Sequence, residues 1–225
     1  ERGETVADGK LCYNPDIFRV RNLDEARRII LTNEGLADTD ERWRKETPAL
    51  VAGLCRELNL RKNHLLHDYG CGVGRLAREL CALGCSVIGV DISPEMRTMA
   101  RDYVGNPKHF LALSPEEFDL LTANGLRCDA AYAVWVLQHC VNPVEDLTRI
   151  FSGLRLHAGF HVVNNRELRA VPVTGGSVWL RDNVDIWELT AQFFSLSSTR
   201  QFPAGAGIAP HLALCRTYLK TRDHL

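Results

Sequence analysis

Hydrophobic residues alternate between short continuous runs and regularly spaced positions from about residue 48 to residue 164. The continuous runs predict strands buried on both faces, and the spaced positions predict helices with one apolar face. Because a helix separates each strand from the next, the pattern predicts a doubly wound, parallel α/β sheet with helices on both faces. The predicted strands are 64–69, 85–90, 108–112, 128–134 and 159–164, and the predicted helices between them are 74–83, 94–102, 115–123 and 143–154.

The last forty residues follow a different pattern. A helix is predicted near 183–193, and two strand-like runs at 195–202 and 211–220 follow it, separated by the turn residues Pro203 to Gly207. A parallel pair would need a crossover of about a dozen residues or more, so these runs are predicted to pair antiparallel. The whole pattern therefore predicts a mostly parallel, seven-stranded sheet that ends in an antiparallel hairpin.

The first 46 residues lie outside this alternation. One short helix is predicted from Asp24 to Asn33, with Gly35 as its stop, and a second from about 40 to 46. Thr47 and Pro48 are predicted to begin a longer helix, since threonine is a favoured N-cap and proline a favoured first residue. We therefore divide the chain into an N-terminal helical appendage, 1–46, which would act as a lid, and a main domain, 47–225.

Glycines at 70, 72 and 74 follow the first predicted strand, and Asp91 ends the second. Glycines let a loop turn sharply and bring backbone N–H groups close to a ligand. A carboxylate at the end of the next strand can accept hydrogen bonds from a ribose diol. The layout predicts an adenosine site. A loop for a pyrophosphate needs a small residue three positions after the second glycine, where this chain has Arg75.

The segment from Asp68 to Gly74 resembles the first motif of class I S-adenosylmethionine-dependent methyltransferases, (D/E)-x-G-x-G-x-G, at every fixed position. The terminal hairpin is also typical of that fold, and an ordinary NAD-binding fold lacks it. The resemblance implies S-adenosylmethionine as the cofactor and S-adenosylhomocysteine as the product. It implies that Asp68 orients the loop and the methionine amino group, and that Asp91 binds the ribose.

The same resemblance implies the rest of the cofactor site. Ile92 and Met96 would contact the adenine, although both could equally be core residues. Ser114 would meet the adenine edge, but it also begins an S-x-x-E capping box that explains it as well. Trp135 would face the sulfonium or pack below the site. The predicted cofactor-binding residues are Asp68, Gly70, Cys71, Gly72, Gly74, Asp91, Ile92, Met96, Ser114, Pro115, Ala133 and Trp135.

His139 follows the fourth strand and has the side chain best suited to proton transfer near neutral pH. A structural role is the alternative, because methyl transfer depends mainly on positioning and on exclusion of water. Tyr13 and Trp43 in the appendage, and Asn164 and Asn165 after the fifth strand, are predicted to bind the acceptor. Ordinary packing and turn formation are the alternatives for these four residues.

Composition and charge limit the kinds of partner and location that we expect. Charged residues make up 24% of the chain and the net charge is −1, so nothing favours nucleic acid or anionic membranes. The chain shows no long apolar run and no apolar signal sequence at its start, so we expect a cytoplasmic protein. The eight cysteines show no C-x-x-C, and no cluster of histidines and cysteines has zinc-ligand spacing, so we expect buried thiols and no metal. Both a monomer and a homodimer stay open.

These features predict an enzyme that transfers a methyl group from S-adenosylmethionine to oxygen or nitrogen of a small molecule. One alternative is a non-catalytic binding or scaffold protein with the same fold. A second is an NAD(P)-dependent oxidoreductase, which Arg75 and the terminal hairpin disfavour. The sequence does not identify the acceptor.

Overall fold

A seven-stranded sheet forms the centre of the computed structural model, which describes residues 13–31, 38–166, 170–173, 179–181 and 183–224. Its strand order is β3-β2-β1-β4-β5-β9-β8; the first five strands are parallel, and β9 runs antiparallel to both β5 and β8. The predicted fold is confirmed. The strands are β1 Leu65–Tyr69, β2 Ser86–Val90, β3 Phe110–Leu113, β4 Cys128–Val134, β5 Leu154–Asn165, β8 Ser195–Gln201 and β9 Ala213–Leu219.

Helices cover both faces of this sheet, and each face has its own apolar core. One core packs Leu54 and Leu80 against the sheet, and the other packs Phe118 and Leu147 against it. The helices are α1 Leu23–Ile30, α2 Thr39–Glu57, α3 Arg75–Ala82, α4 Pro94–Val104, α5 Pro115–Ala123, α6 Pro143–Ser152 and α7 Ile186–Phe193.

The prediction of two helices that meet at Thr47 was wrong, because α2 runs unbroken from Thr39 to Glu57 with Pro48 inside it. Thr47 does not cap a new helix; its hydroxyl donates to the carbonyl of Trp43, 2.6 Å away. Pro48 has no N–H to donate to the carbonyl of Arg44, four residues earlier. Both residues are exposed, so this carbonyl belongs to the exposed side of the helix. The appendage and the main domain therefore share one helix.

Other differences concern the ends of elements, among them those of β5 and α1. β5 begins five residues earlier than predicted, since Leu154 already pairs with Cys128 of β4. α1 ends at Ile30, whereas Asn33 and Gly35, its predicted end and stop, lie outside the described residues.

A small second sheet, which the pattern did not predict, lies in the insert after β5. It consists of β6 Ala170–Pro172 and β7 Trp179–Arg181, which pair antiparallel. The N-terminal segment contacts it, because Tyr13 forms a bridge with Val173 and the amide of Asn14 donates to the carbonyl of Pro172 at 3.0 Å. Residues more than 150 positions apart thus join, and we call residues 13–18 together with β6 and β7 the cover.

Candidate functional site

The glycine loop after β1 has a backbone that other residues rarely adopt. Gly70, Gly72 and Gly74 have φ angles of 72°, 53° and 75°, in the left-handed region. A Cβ atom on Gly72 would lie 2.8 Å from Cδ1 of Ile30, so a side chain here would also have to displace the end of the Ile30 side chain. The loop is fixed to β2 because the amides of Gly70 and Cys71 both donate to the carbonyl of Val90.

Asp91 follows β2 and connects the glycine loop to the start of α4. Its Oδ2 accepts from the amide of Gly72 at 2.8 Å, and its Oδ1 accepts from the amide of Ser93 at 2.9 Å. Burial raises the pKa of the Asp91 carboxyl, and these two backbone hydrogen bonds act in the opposite direction. Each oxygen keeps a further lone pair with which it can accept from a ligand hydroxyl.

A cavity of about 660 Å³ opens at the carboxyl ends of β1, β2 and β4. This is where ligands bind in open α/β sheets, and the volume is typical of small-molecule sites. The structure brings ten of the predicted site residues to the wall of this cavity. They are Tyr13, Gly70, Gly72, Asp91, Ile92, Met96, Pro115, Trp135, His139 and Asn165.

Seven other predicted site residues do not line this cavity. Three of them are buried behind its wall: Ala133 within β4, Gly74 at the start of α3, and Asn164 at the end of β5. Trp43 faces α3 and α4, with the guanidinium carbons of Arg27 and Arg75 at 4.9 and 5.4 Å from its ring. The remaining three are Asp68, Cys71 and Ser114.

Asp68 lies within β1, below the loop, and is 4% exposed. Burial raises its pKa to about 7, and the nearby carboxylate of Asp91 adds to this whereas Arg75 opposes it. The Cys71 side chain points into the core, where a Cβ atom on Gly89 would lie 2.8 Å from its sulfur. Burial raises the pKa of this thiol well above its usual value, which agrees with a packing role and not with a nucleophile.

Ser114 is the N-cap of α5 and forms the capping box that its sequence allows. Its hydroxyl accepts from the amide of Glu117 at 3.2 Å, and the Glu117 carboxylate accepts from the amide of Ser114 at 2.7 Å. The capping role therefore has direct geometric support.

The cavity wall also contains residues that the sequence reasoning missed. Arg42 reaches it from α2, Tyr69 from the end of β1, and Asp146 and Arg149 from α6. The Tyr69 hydroxyl is hydrogen-bonded to the Asp146 carboxylate, and Arg149 Nη1 lies 3.3 Å from that hydroxyl. The i, i+3 spacing of Asp146 and Arg149 indicates an ion pair on one face of a helix, but it does not indicate that this face lines a cavity.

His139 has both ring nitrogens in hydrogen bonds. Nδ1 lies 2.7 Å from the carbonyl oxygen of Ala170 in β6, and Nε2 lies 3.0 Å from Nε2 of Gln138. A carbonyl can only accept, which assigns the proton to Nδ1. Gln138 Oε1 accepts from the amide of Asn165 at 2.9 Å, so its amide group donates to His139. Burial lowers the pKa of His139, which favours this neutral form.

Metal and thiol chemistry find no support in the described part of the chain. It contains no group of three or more His, Cys, Asp or Glu residues placed to bind a metal. The cysteines at 55, 71, 81, 85, 128, 140 and 215 are free thiols, and Cys12 lies outside the described residues. Among the helices described, none has the length and apolarity needed to cross a membrane.

Comparison with known proteins gives the same class as the geometry. Residues 67–155 match the family described as methyltransferase domain. A mitochondrial ubiquinone biosynthesis O-methyltransferase of Arabidopsis thaliana is 32% identical over 114 residues, which are 48% of this chain and 34% of that protein. The ubiquinone biosynthesis O-methyltransferase of Coxiella burnetii is 27% identical over 96 residues, which are 43% of this chain and 41% of that protein. The chain thus spans well under half the length of these relatives.

Among solved structures, magnesium protoporphyrin IX methyltransferase from Synechocystis PCC 6803 with bound S-adenosylmethionine is similar with a TM-score of 0.62. The match covers 91% of this chain and 94% of that one at 18% identity, so it bears on the fold alone. Together with the family match, it confirms the predicted class: residues 67–155 match a methyltransferase domain, and the fold is that of class I S-adenosylmethionine-dependent methyltransferases. The two curated relatives are, by name, O-methyltransferases.

Proposed function

We propose that this protein transfers a methyl group from S-adenosylmethionine to a hydroxyl oxygen of a small aromatic molecule. The observation that carries the proposal is one continuous cavity. Its wall contains both the glycine loop with Asp91 and the aromatic side chains of Tyr13 and Phe18 from the cover. The names of the two O-methyltransferase relatives support oxygen over nitrogen as the methylated atom.

The residues of the cavity fit the cofactor chemically. Gly70 and Gly72 present backbone without side chains, and the Asp91 carboxylate can accept from a ribose diol. Ile92, Met96 and Pro115 form an apolar wall suited to an adenine ring.

Arg42 adds a positive charge to the cavity wall, where Asp91 supplies a negative one. Its side chain is 3% exposed, yet it contributes to the cavity wall. A guanidinium in this place suits the carboxylate of the methionine part.

When bound, S-adenosylmethionine supplies a methyl group that its sulfonium already activates. The chain then has to bring the acceptor oxygen in line and to exclude water. The cover of Tyr13, Asn14 and β6 would do the second, and the aromatic rings of Tyr13 and Phe18 would orient a flat acceptor. His139 would act as a positioning residue, since the Gln138 amide takes the lone pair that a general base would need.

Several features of the whole protein belong to the same proposal. A net charge of −1 supports a small-molecule acceptor over nucleic acid. The lid role of residues 1–46, a cytoplasmic location, and a monomeric or homodimeric state remain predictions.

The cofactor part is tested by calorimetric titration with S-adenosylhomocysteine, using wild type, Asp91→Ala and the control Asp102→Ala. Asp102 is an exposed carboxylate on α4, so its removal changes the charge equally without touching the cavity. We expect tight binding to wild type and to the control, and binding weakened about a hundredfold or more by Asp91→Ala, given two lost hydrogen bonds to a charged group. Wild-type protein without affinity for S-adenosylhomocysteine would refute the proposal.

The acceptor part is tested with S-adenosylmethionine labelled in its methyl group and a panel of phenols, catechols and the matching anilines. We expect label in the phenols and catechols. Label in the anilines alone would show that nitrogen is the methylated atom.

A further inference from the structure

Glu46 is a carboxylate in α2 with no exposed surface, and it accepts three hydrogen bonds from side chains. Its Oε1 lies 3.0 Å from Nη2 of Arg75 and 2.8 Å from Nε1 of Trp135. Its Oε2 lies 3.0 Å from Nη2 of Arg42. Arg42 and Arg75 are 3% and 4% exposed, so the ionic part of this cluster is almost completely removed from water.

The three partners of Glu46 come from three different elements, and two of the partners line the cofactor cavity. Arg75 is the first residue of α3, directly after the last glycine of the loop. Trp135 is the first residue after β4 and lines the cavity, as does Arg42 from α2. One carboxylate of α2 therefore connects this helix to the residue that follows the glycine loop and to the end of β4.

Trp135 needs such a connection because its backbone is strained. Its φ angle is 62°, which a bulky side chain rarely adopts and which is energetically unfavourable. The surroundings compensate from three directions. The Trp135 amide donates to the carbonyl of Val163 at 2.8 Å, the ring packs against Phe202 at 5.4 Å, and the indole N–H donates to Glu46.

We propose that Glu46 is a positioning residue for the cofactor site: it fixes Trp135 and Arg42 on the cavity wall and ties the glycine loop to both. The inference rests on the proposed function, because it assigns these wall residues to the cofactor. A buried carboxylate suits this task, since its bonds to charged donors are short, directional and unscreened by water. No local pattern indicated this role, because Glu46 is one of several charged residues in a helix with an exposed face.

A purely structural role is the competing explanation, and α2 offers a matched control for it. Glu57 is a second largely buried carboxylate of the same helix, with 7% of its side chain exposed. It also bonds two arginines, Arg56 and Arg200 at 2.8 and 2.7 Å, but it does not line the cofactor cavity. Glu57→Gln therefore removes the same charge from the same helix without reaching the site.

The experiment compares wild type, Glu46→Gln, Glu57→Gln, Trp135→Phe and the control Trp187→Phe. Trp187 is a buried tryptophan of α7, with Arg216 above its ring and no part in the cofactor cavity. Folding is checked by circular dichroism and thermal unfolding, and S-adenosylhomocysteine affinity by calorimetry well below the unfolding temperature.

We expect both glutamine variants to unfold at lower temperature, whereas Glu46→Gln alone should weaken S-adenosylhomocysteine binding, by about tenfold or more. Trp135→Phe keeps an aromatic ring but loses the indole N–H, and should weaken S-adenosylhomocysteine binding about three- to tenfold. Trp187→Phe should bind like wild type.

Folded Glu46→Gln that binds S-adenosylhomocysteine like wild type would overturn the inference. If Glu46→Gln does not fold, Trp135→Phe decides, and wild-type affinity of that variant overturns it. A wild-type protein that does not bind S-adenosylhomocysteine refutes the proposed function itself, which is a separate outcome.

Discussion

His139 is a residue whose type suggested one role and whose contacts suggest another. Its type permits general-base catalysis near neutral pH. In the structure, however, its ring is held between the carbonyl of Ala170 and the amide group of Gln138, which is itself fixed by the amide of Asn165. This chain of hydrogen bonds connects the wall of the cavity to β6 of the cover.

We predict that His139→Ala lowers the rate of methyl transfer by less than about tenfold and mainly raises KM for the acceptor, since general bases contribute about a hundredfold or more. The pH profile of kcat should keep its wild-type shape. The measurement is a pair of pH–rate profiles with an acceptor from the phenol panel. A hundredfold loss of kcat, together with loss of a wild-type ionisation at or below pH 6.5, would show that His139 is the base after all.

The residues of the cofactor loop could be predicted because glycine, aspartate and their spacing form a local pattern. Gly70, Gly72 and Asp91 all lie within about twenty positions of one another and line the same cavity. Arg42 and Tyr69 could not be predicted in this way. Whether an arginine of α2 faces the cavity depends on how that helix lies against the sheet, and the helix sequence does not contain that information.

Among the elements, α5 offers a direct test between structure and ligand binding. Ser114 caps this helix, and the sequence alone left open whether its hydroxyl also meets the cofactor. A capping residue stabilises the first turn by satisfying an otherwise unpaired backbone N–H.

We predict that Ser114→Ala lowers the free energy of unfolding by about 1 kcal/mol and leaves S-adenosylhomocysteine affinity within about twofold of wild type. Ser114→Asp, which can still cap, should keep most of the stability. Urea unfolding and calorimetry measure the two quantities. A tenfold loss of affinity in Ser114→Ala would instead place the hydroxyl in the binding site.

α2 shows an element that the sequence rules divided and the tertiary structure kept whole. Proline at 48 and threonine at 47 resemble a helix start, but Leu50, Val51 and Leu54 belong to the same buried face as Glu46 and Arg42. Packing on both sides of Pro48 therefore outweighs the local cost of the proline.

We predict that Pro48→Ala raises the free energy of unfolding by about 1–2 kcal/mol. The change restores an N–H and removes a clash, whose cost of about 3 kcal/mol is partly offset by the stiffer unfolded chain of the proline protein. Pro107→Ala, at an exposed loop position, is the control and should not stabilise. Unchanged or reduced stability of Pro48→Ala in urea unfolding would contradict this account.

At the scale of the whole molecule, two neutral histidines lie in the cores. His67 in β1 has no exposed surface and stacks on Phe118 with ring centroids 4.0 Å apart. Burial lowers the pKa of His67 from 6.5 to about 3, with Arg149 adding to the effect. Burial also lowers the pKa of His161 to about 4. At these two positions the folded protein therefore binds fewer protons than the unfolded chain in mildly acidic solution.

We predict that the contribution of each histidine to stability falls as the pH drops from about 6.5 towards 3, by up to about 1.4 kcal/mol per pH unit. The sign follows because protons that bind only the unfolded chain favour unfolding. His67→Phe should flatten this decline, since phenylalanine fits the stacked position and does not titrate. The measurement is urea unfolding of both proteins at several pH values between 4 and 7. This range covers most of the interval between the lowered pKa values of the folded protein and the ordinary value of 6.5.

The pH dependence of stability has to be compared between wild type and His67→Phe, because Asp68 changes stability with pH in the opposite direction to the histidines. Its pKa rises from 3.8 to about 7, so its contribution to stability falls as the pH increases through this window. His211→Gln, which changes an exposed histidine, is the control. Equal pH slopes for wild type and His67→Phe would show that His67 does not contribute.

The sequence by itself determined the sheet, its terminal hairpin and the glycine loop with Asp91. Each of these depends on hydrophobic period, turn residues or spacing within a short stretch of chain, and such local terms can be read without knowing what packs nearby. Only the tertiary structure decided that α2 is continuous, that Tyr13 pairs with Val173, and that Glu46 meets Trp135, 89 positions away. Those contacts arise from how whole elements pack together, and the polar groups involved are buried by that packing alone.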